Sequence, residues 1–173
     1  MNADSLAREQ ARRDSIAAAE RARAEADRLA RARQDSIANI ERMRTEALNN
    51  ARSALTATIY FDYDQSDITA DSRSRLDAKL PVLRANPSMT NRVAGHTDER
   101  GSDEYNLALG QRRAAAAKRY LVQNGIADSR ITIQSFGEEQ PATQGSDESA
   151  WSQNRRAEFE ITAGGDDITV PQQ

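Results

Sequence analysis

The sequence contains no cysteine, and its eight glycines and four prolines all lie at or beyond Pro81. The lack of cysteine excludes disulfides, thiolate metal sites and cysteine nucleophiles from these 173 residues. Apolar runs are short, and none approaches the roughly 18 consecutive apolar residues of a membrane-spanning helix. The net charge of −3 is close to balance, so composition gives no reason to expect bulk binding to nucleic acid. The length suits one domain with an appendage.

The first third of the chain has the composition of a helix. Residues 1–55 contain 15 alanines, eleven arginines and nine acidic residues, with no glycine or proline. Alanine, arginine and glutamate are strong helix formers. The sequence therefore predicts one helix over about residues 3–54, on the order of 80 Å long at 1.5 Å per residue. We interpret residues 1–54 as a spacer.

This spacer repeats itself. Residues 12–17 recur 21 residues later as residues 33–38, and three heptads is a coiled-coil spacing. The heptad seam that starts at Ile16 is poor, however, because arginine and alanine occupy most of it. Two alternatives stay open: a coiled coil, and a solvated or weakly self-associating helix with pairs such as Glu9–Arg13.

The remainder of the chain alternates strand and helix patterns. Such an order predicts an α+β domain with the arrangement βαβαββ over residues 55–163. The tail at 164–173 is expected to be disordered. The predicted strands are 56–61, 92–96, 130–135 and 156–161, and the predicted helices are about 70–84, 102–124 and, more briefly, 148–152.

The most concentrated candidate site is the loop Gly95-His96-Thr97-Asp98-Glu99-Arg100-Gly101, between a predicted strand and a predicted helix. A helix start presents free amide hydrogens. Arg113 lies two to three turns into that helix, within reach of Asp98. A carboxylate beside a guanidinium would suit a zwitterionic ligand. Spacing alone favours a structural Asp98–Arg113 salt bridge, and the ligand site is the alternative.

Four ordered segments together resemble the OmpA-like peptidoglycan-binding domain family. The residues of the loop Gly95–Gly101 are most similar to those of the family's peptidoglycan-associated lipoprotein members. The resemblance covers about residues 55–163 and does not extend to the first 54. The segments are Ile59–Asp64, Gly95–Gly101, Glu104–Ala114 and Ser152–Ala157.

The resemblance implies a set of ligand contacts. Asp98 would hold the side-chain ammonium of meso-diaminopimelate, and Arg113 would hold its side-chain carboxylate. Residues 154–156 would support the site without touching ligand. The remaining members of the implied site are Tyr63, Asp64, Arg100 and Leu109 as contacts, with Thr97 and Asn106 orienting loop and helix.

The resemblance also implies a function. The protein would bind peptidoglycan without catalysis and tether the outer membrane to the wall, as a periplasmic lipoprotein with a TolB-like partner. Its lipid anchor would sit on a cysteine upstream of Met1, which the printed sequence does not contain. The alternative is the wall-binding module of another periplasmic protein or of a MotB-like stator subunit.

Catalysis and metal binding are poorly supported. His96 is the only histidine, and the sequence has no cysteine. A zinc site built from histidine and cysteine ligands is therefore excluded. The run Asp62-x-Asp64-x-x-Asp67 resembles a calcium loop but lacks its glycine and distal glutamate. The sequence predicts no enzyme activity, cofactor or metal site.

Overall fold

The computed structural model describes residues 3–171, which fall into two compact units that divide between residues 46 and 47. Helix α1 runs over Ala3–Thr56, which confirms the predicted long helix. Within the first unit nearly every side chain is exposed, and the expected Glu9–Arg13 ion pair forms at 2.6 Å. The choice between a solvated helix and a coiled coil concerns contacts between chains and stays a prediction.

The second unit is built on a four-stranded mixed sheet. Its strands are β1 (Ile59–Tyr60), β2 (Thr90–His96), β3 (Ile131–Gly137) and β4 (Arg156–Ala163), in the order β1-β4-β2-β3. Strand β4 is antiparallel to both β1 and β2, whereas β2 and β3 are parallel. The predicted α+β fold is confirmed.

Strand β1 is shorter than the predicted 56–61. The β-branched pattern there is typical of a strand, yet α1 continues through Thr56, whose hydroxyl donates to the carbonyl of Arg52 at 3.0 Å. The chain therefore becomes extended only after the helix ends, and the ladder pairs Ile59 with Ala157.

Three helices follow α1, and side-chain caps fix where each begins. Helix α2 spans Ala70–Ala85, α3 spans Asp103–Gln123 and α4 spans Glu148–Asn154. Their N-caps Thr69, Ser102 and Asp147 each accept a main-chain N–H from three residues on, which satisfies an otherwise unpaired donor. A 3-10 turn, Asp128–Arg130, leads into β3.

Helix α3 lies unusually close to strand β2. A Cβ on Gly95 would fall 1.8 Å from the carbonyl oxygen of Gly110, and one on Gly110 would fall 2.3 Å from Ser135 Oγ. Main chain therefore packs directly on main chain at this crossing. The contact fixes where the start of α3 meets the loop that follows β2.

The tail prediction was wrong for residues 164–171. Ile168 is only 8% exposed and belongs to the apolar core. The side chain of Asn86 accepts from Thr169 N and donates to Thr169 O, both at 2.8 Å. One buried apolar side chain and a paired main chain thus hold a segment whose composition is typical of loops. Residues 172–173 of the predicted tail lie outside the described residues.

Hydropathy adds one negative finding. Among the helices of residues 3–171, none combines the length and the apolar character needed to cross a membrane.

Candidate functional site

A cleft of about 110 Å³ opens where the loop after β2 meets the start of α3 and the segment after β1. The eight residues of the implied site all line it. Gly101 and Tyr105, which were not among those eight, complete the walls. The eight predicted residues are Tyr63, Asp64, Thr97, Asp98, Arg100, Asn106, Leu109 and Arg113.

Buried hydrogen bonds shape the loop that forms one wall. Asn106, 1% exposed, donates to the carbonyl oxygens of Asp98 at 3.3 Å and Arg100 at 3.2 Å. Thr97 N donates to the carbonyl of Gly137 at 2.8 Å. Gly101 adopts φ of 117°, a left-handed conformation that side chains disfavour. The loop is thereby tied to both α3 and β3.

Arg113 is fully buried at the floor of this cleft. Its guanidinium donates from Nε to Gln65 O at 2.8 Å, from Nη1 to His96 O at 2.8 Å and from Nη2 to Asp62 O at 3.1 Å. A guanidinium has five N–H donors. Two therefore remain without a partner among residues 3–171, one on each terminal nitrogen. Burial lowers the pKa of Arg113 to about 10, so the group stays charged at neutral pH.

The predicted Asp98–Arg113 salt bridge is absent from residues 3–171. Asp98 pairs instead with Arg100, which donates from its main-chain N (3.1 Å) and Nε (3.0 Å) to Oδ1, and from Nη2 (2.7 Å) to Oδ2. Arg155 adds a longer contact to Oδ2 at 3.5 Å. The reason is that Arg113 is held in place by three main-chain carbonyls, whereas Arg100 lies in the same loop as Asp98.

The electrostatics of Asp98 follow from these partners. Burial by itself would raise the pKa of this carboxyl, but the hydrogen bonds and charge of Arg100, with help from Arg155, outweigh burial and leave the pKa below its ordinary value. A carboxylate offers about four lone-pair sites, and all four are engaged. Asp98 is therefore ionised at neutral pH and already ligated by the protein's own cations.

Arg100 is held between two aromatic rings. Its guanidinium lies 3.9 Å from the ring centroid of Tyr63 and 4.0 Å from that of Trp151, distances at which cation–π attraction operates. Trp151 Nε1 also donates to Glu99 Oε1 at 3.1 Å. Trp151 is not among the predicted site residues, although its place beside the late Ser152–Ala157 motif is a signal that could have indicated it.

Arg155 connects the segment after β1 with helix α4. It donates from Nε to Phe61 O at 3.0 Å and from Nη2 to Glu148 Oε1 at 2.6 Å. Asn154 Oδ1 accepts from the main-chain N–H groups of residues 142 and 143 at 2.8 and 3.0 Å. These contacts join α4 and β4 to the segment after β1.

Asp64 is a second carboxylate in the lining of the cleft. It is the one residue other than glycine in 3–171 with positive φ, at 55°, and such a conformation costs of order 1 kcal/mol. The Tyr105 hydroxyl donates a hydrogen bond to Asp64 Oδ1, which raises the pKa of Tyr105. Tyr105 was missed because its partner lies 41 positions away.

Thr97 and His96 are neighbours in the sequence, but only one of them faces the cleft. Thr97 Oγ1 is buried and has no hydrogen-bond partner within 3–171, although Thr97 lines the cleft. The His96 ring lies outside the cleft lining and stacks on Phe136 at 5.4 Å. Burial, then the charge of Arg156, lowers the pKa of His96 to about 4.

In the described range, Asp62, Asp64 and Asp67 do not gather into a three-ligand metal cluster.

Comparison with known proteins gives consistent matches. The family model described as OmpA family matches residues 60–155, more than half of the chain. The peptidoglycan-associated lipoprotein of Pseudomonas putida is 48% identical over 104 residues, which cover 59% of this chain and 61% of that protein. The chain thus matches about three fifths of the length of that curated relative.

Solved structures show the same fold. The crystal structure of the peptidoglycan-associated lipoprotein from Burkholderia pseudomallei superposes with a TM-score of 0.63 at 38% identity, covering 67% of this chain and 99% of that one. The C-terminal domain of Helicobacter pylori MotB gives a TM-score of 0.57 at 18% identity, covering 62% and 84%, and shows likeness of fold alone. The extent of the family match and of the Burkholderia superposition places this chain in the OmpA family.

Proposed function

We propose that this domain binds peptidoglycan without catalysis, through the meso-diaminopimelate residue of the stem peptides. The observation that carries the proposal is that Arg113 and Asp98 line the same cleft. The first is a buried cation with two unused N–H donors, and the second is an ionised carboxylate. An amino-acid head group carries the complementary pair of charges.

The two ends of the ligand would be bound by different means. The side-chain carboxylate of diaminopimelate accepts the two free N–H groups of Arg113, since a guanidinium presents donors in a planar fork. The ammonium binds Asp98. Because Arg100 and Arg155 together already fill the acceptor sites of Asp98, the ammonium must displace at least part of these contacts. Thr97 Oγ1 supplies one more polar group that is without a partner among the described residues.

The expected affinity of one site is modest. Hydrogen bonds to charged groups contribute roughly 1.5–3 kcal/mol each, and the ammonium gains only the difference between its own contact and that of Arg100. A wall displays many identical stem peptides, so a tethered protein meets them at high effective concentration. Avidity compensates for weak single contacts.

The same geometry provides specificity. A stem peptide with lysine in place of diaminopimelate has the ammonium but not the carboxylate. Its binding would leave two buried N–H groups of Arg113 unpaired, and an unpaired buried donor costs more than a missing apolar contact. We therefore expect discrimination of at least about tenfold between the two wall types.

The wider role is a further part of the proposal. Relatives at 48–50% identity are named peptidoglycan-associated lipoprotein, a name that joins wall binding with a lipid anchor. We propose that this protein acts in the periplasm, tethers the outer membrane to the wall through an anchor at its N-terminal side, and meets a TolB-like protein there. The likeness to MotB concerns the fold alone, and no observation favours a stator role over tethering.

Co-sedimentation with purified sacculi tests the binding. The apparent affinity for sacculi should fall at least about tenfold in Asp98→Asn and in Arg113→Lys. This is roughly the effect of losing one charged contact. Arg113→Lys keeps a positive charge but loses the fork. Asp166→Asn and Arg119→Lys are matched controls, since both residues are exposed and neither lines the cleft. Thermal unfolding of each variant establishes that it is folded, and binding at the wild-type level by folded Asp98→Asn would refute the proposal.

A further inference from the structure

Helix α3 has a second concave surface on its other flank. Two adjoining hollows of about 140 and 470 Å³ share Glu104 and Leu107 as walls. We refer to them together as the acidic groove. Four carboxylates rim it, and Leu107 and Phe136 form its apolar lining; the four are Asp103, Glu104, Glu138 and Glu139.

The charge of this groove is of one sign. No lysine or arginine lines either hollow within residues 3–171. By contrast, two carboxylates at and near the peptidoglycan cleft are paired with arginine, Asp98 with Arg100 and Glu148 with Arg155. In the groove, carboxylates thus gather around an apolar surface without basic side chains among the lining residues.

Helix stability accounts for only part of this arrangement. Asp103 and Glu104 occupy the first turn of α3, where negative charge is favourable because of the helix dipole. That explanation does not extend to Glu138 and Glu139, which follow β3. Nor does it explain Leu107, which is 49% exposed in the centre of the same surface. A single exposed leucine is ordinary, but one enclosed by four carboxylates is a combination typical of a docking surface.

The groove is separate from the peptidoglycan cleft. Asn106, Leu109 and Arg113 line the cleft, whereas Glu104, Leu107 and Gln111 line the groove. Both sets follow the i, i+3, i+7 spacing of one helix face. No residue lines both concavities. Binding at the groove therefore does not require a vacant cleft.

We propose that the acidic groove docks a polypeptide segment of a partner protein in which an apolar side chain is flanked by lysine or arginine. The apolar residue packs on Leu107 and Phe136, and the cations meet the carboxylates at the rim. Charge complementarity selects this occupant, because opposite potentials steer association and like charges across an interface are costly. An acidic or neutral segment would bury the rim carboxylates without partners.

The groove also has one direct link to the cleft loop. The side-chain amide of Asn106 donates to Glu138 Oε2 as well as to the carbonyls of Asp98 and Arg100. A cation that draws Glu138 away would release that donor. The two surfaces therefore bind separately but share one buried amide.

Nuclear magnetic resonance titration of the full chain tests the inference. The probe is the acetylated and amidated peptide Lys-Leu-Lys-Leu-Lys. Amide shifts should concentrate on residues 103–111 and 135–139. The double variant Glu104→Lys/Glu139→Lys should weaken binding at least about fivefold, and Leu107→Ser should weaken it by a similar factor. The control Asp166→Lys/Asp167→Lys changes the net charge equally at an exposed site outside the groove and should keep most of the affinity.

Several results would overturn the proposal. The peptide Lys-Ser-Lys-Ser-Lys binding as tightly would show that charge attraction alone is at work. Shifts spread evenly over the acidic surface would show the same. If raising the concentration of the chain itself shifts the groove amides, a second copy occupies it instead. The double variant Glu104→Lys/Glu139→Lys should still sediment with sacculi. That result distinguishes failure of the groove proposal from failure of the peptidoglycan proposal.

Discussion

Arg100 binds both carboxylate oxygens of Asp98, with Nε 3.0 Å from Oδ1 and Nη2 2.7 Å from Oδ2. The same guanidinium lies between the rings of Tyr63 and Trp151. The acidic half of the cleft is therefore occupied by the protein's own cation. The basic half differs, because Arg113 keeps two donors that no described residue uses. In the proposed binding mode, the ligand ammonium would therefore replace a contact of Arg100 at Asp98, whereas the ligand carboxylate would add to free donors at Arg113.

Arg100 sets the titration of Asp98. In Arg100→Gln the strongest partners are lost while burial remains, so the pKa of Asp98 should rise above its wild-type value. Carbon-detected titration of the Asp98 carboxyl measures this directly. An unchanged pKa would show that Arg155, and not Arg100, stabilises the carboxylate.

The same shift predicts a dependence of stability on acid. The pKa of Asp98 is lower in the folded protein than its ordinary value, which is about 3.9 in an unfolded chain. Its contribution to the unfolding free energy is therefore complete above pH ~4 and is lost as the pH falls through the folded pKa. Urea unfolding of wild type and Asp98→Asn at pH 7 and pH 3 should show the difference between the two proteins shrinking at low pH.

Displacement of Arg100 from Asp98 by a ligand ammonium should change the fluorescence of Trp151, the only tryptophan in the chain. If an ammonium displaces Arg100, the cation 4.0 Å from the indole ring moves, and the emission should change in proportion to bound ligand. Arg100→Gln should bind ligand without that change. Saturable binding to the wild type with constant emission would mean that Arg100 stays in place.

The close packing of α3 on β2 makes Gly95 irreplaceable. Gly95→Ala places a methyl group 1.8 Å from the Gly110 carbonyl oxygen, so helix and strand must separate. We expect a loss of about 1–3 kcal/mol or more in the free energy of unfolding, measured by urea denaturation. Gly165→Ala is the control, because its added methyl meets the Cγ2 methyl group of Ile161 at 3.0 Å and no main-chain atom. Equal losses in the two variants would contradict the packing argument.

Lys79 should titrate near neutral pH. It is 1% exposed and donates from Nζ to the carbonyls of Ala54, Leu55 and Ala57 at 2.7–3.0 Å. Burial, then the charge of Arg75, lowers the pKa of Lys79 to about 7. The unfolded value is about 10.4, so the unfolded chain binds more protons between these limits. The free energy of unfolding should accordingly rise with pH across that window.

Carbon-13 labelling of lysine can measure this pKa, because the chain has only one other lysine, Lys118. Lys118 pairs with Asp128 at 3.0 Å on the surface and serves as the internal reference. Lys79→Met should flatten the rise in stability between pH 7 and pH 10. A pKa for Lys79 at or above 10 would show that the three carbonyls outweigh burial.

Local sequence signals predicted most of the fold. The predicted helices at about 70–84 and 102–124 agree with α2 and α3 to within a residue or two. The resemblance supplied eight of the ten residues that line the cleft. The extent of β1 was missed, since whether Thr56 is helical or extended depends on what α1 packs against.

The partner of Asp98 was beyond the reach of spacing. Three arginines, Arg100, Arg113 and Arg155, lie close enough in sequence or space to compete for that carboxylate. The outcome depends on which of them is already held by main-chain carbonyls. The same holds for the tail, where one contact between Asn86 and Thr169 spans 83 positions. Such choices between distant partners are tertiary and leave no local pattern.

Calorimetric titration of the full chain with a soluble stem tripeptide is the most direct test of the zwitterion account. One peptide ends in meso-diaminopimelate, and its counterpart has lysine at the same position. We predict that the diaminopimelate peptide binds at least about tenfold more tightly, and that Arg113→Lys abolishes this difference. Equal affinity of wild type for both peptides would contradict the account.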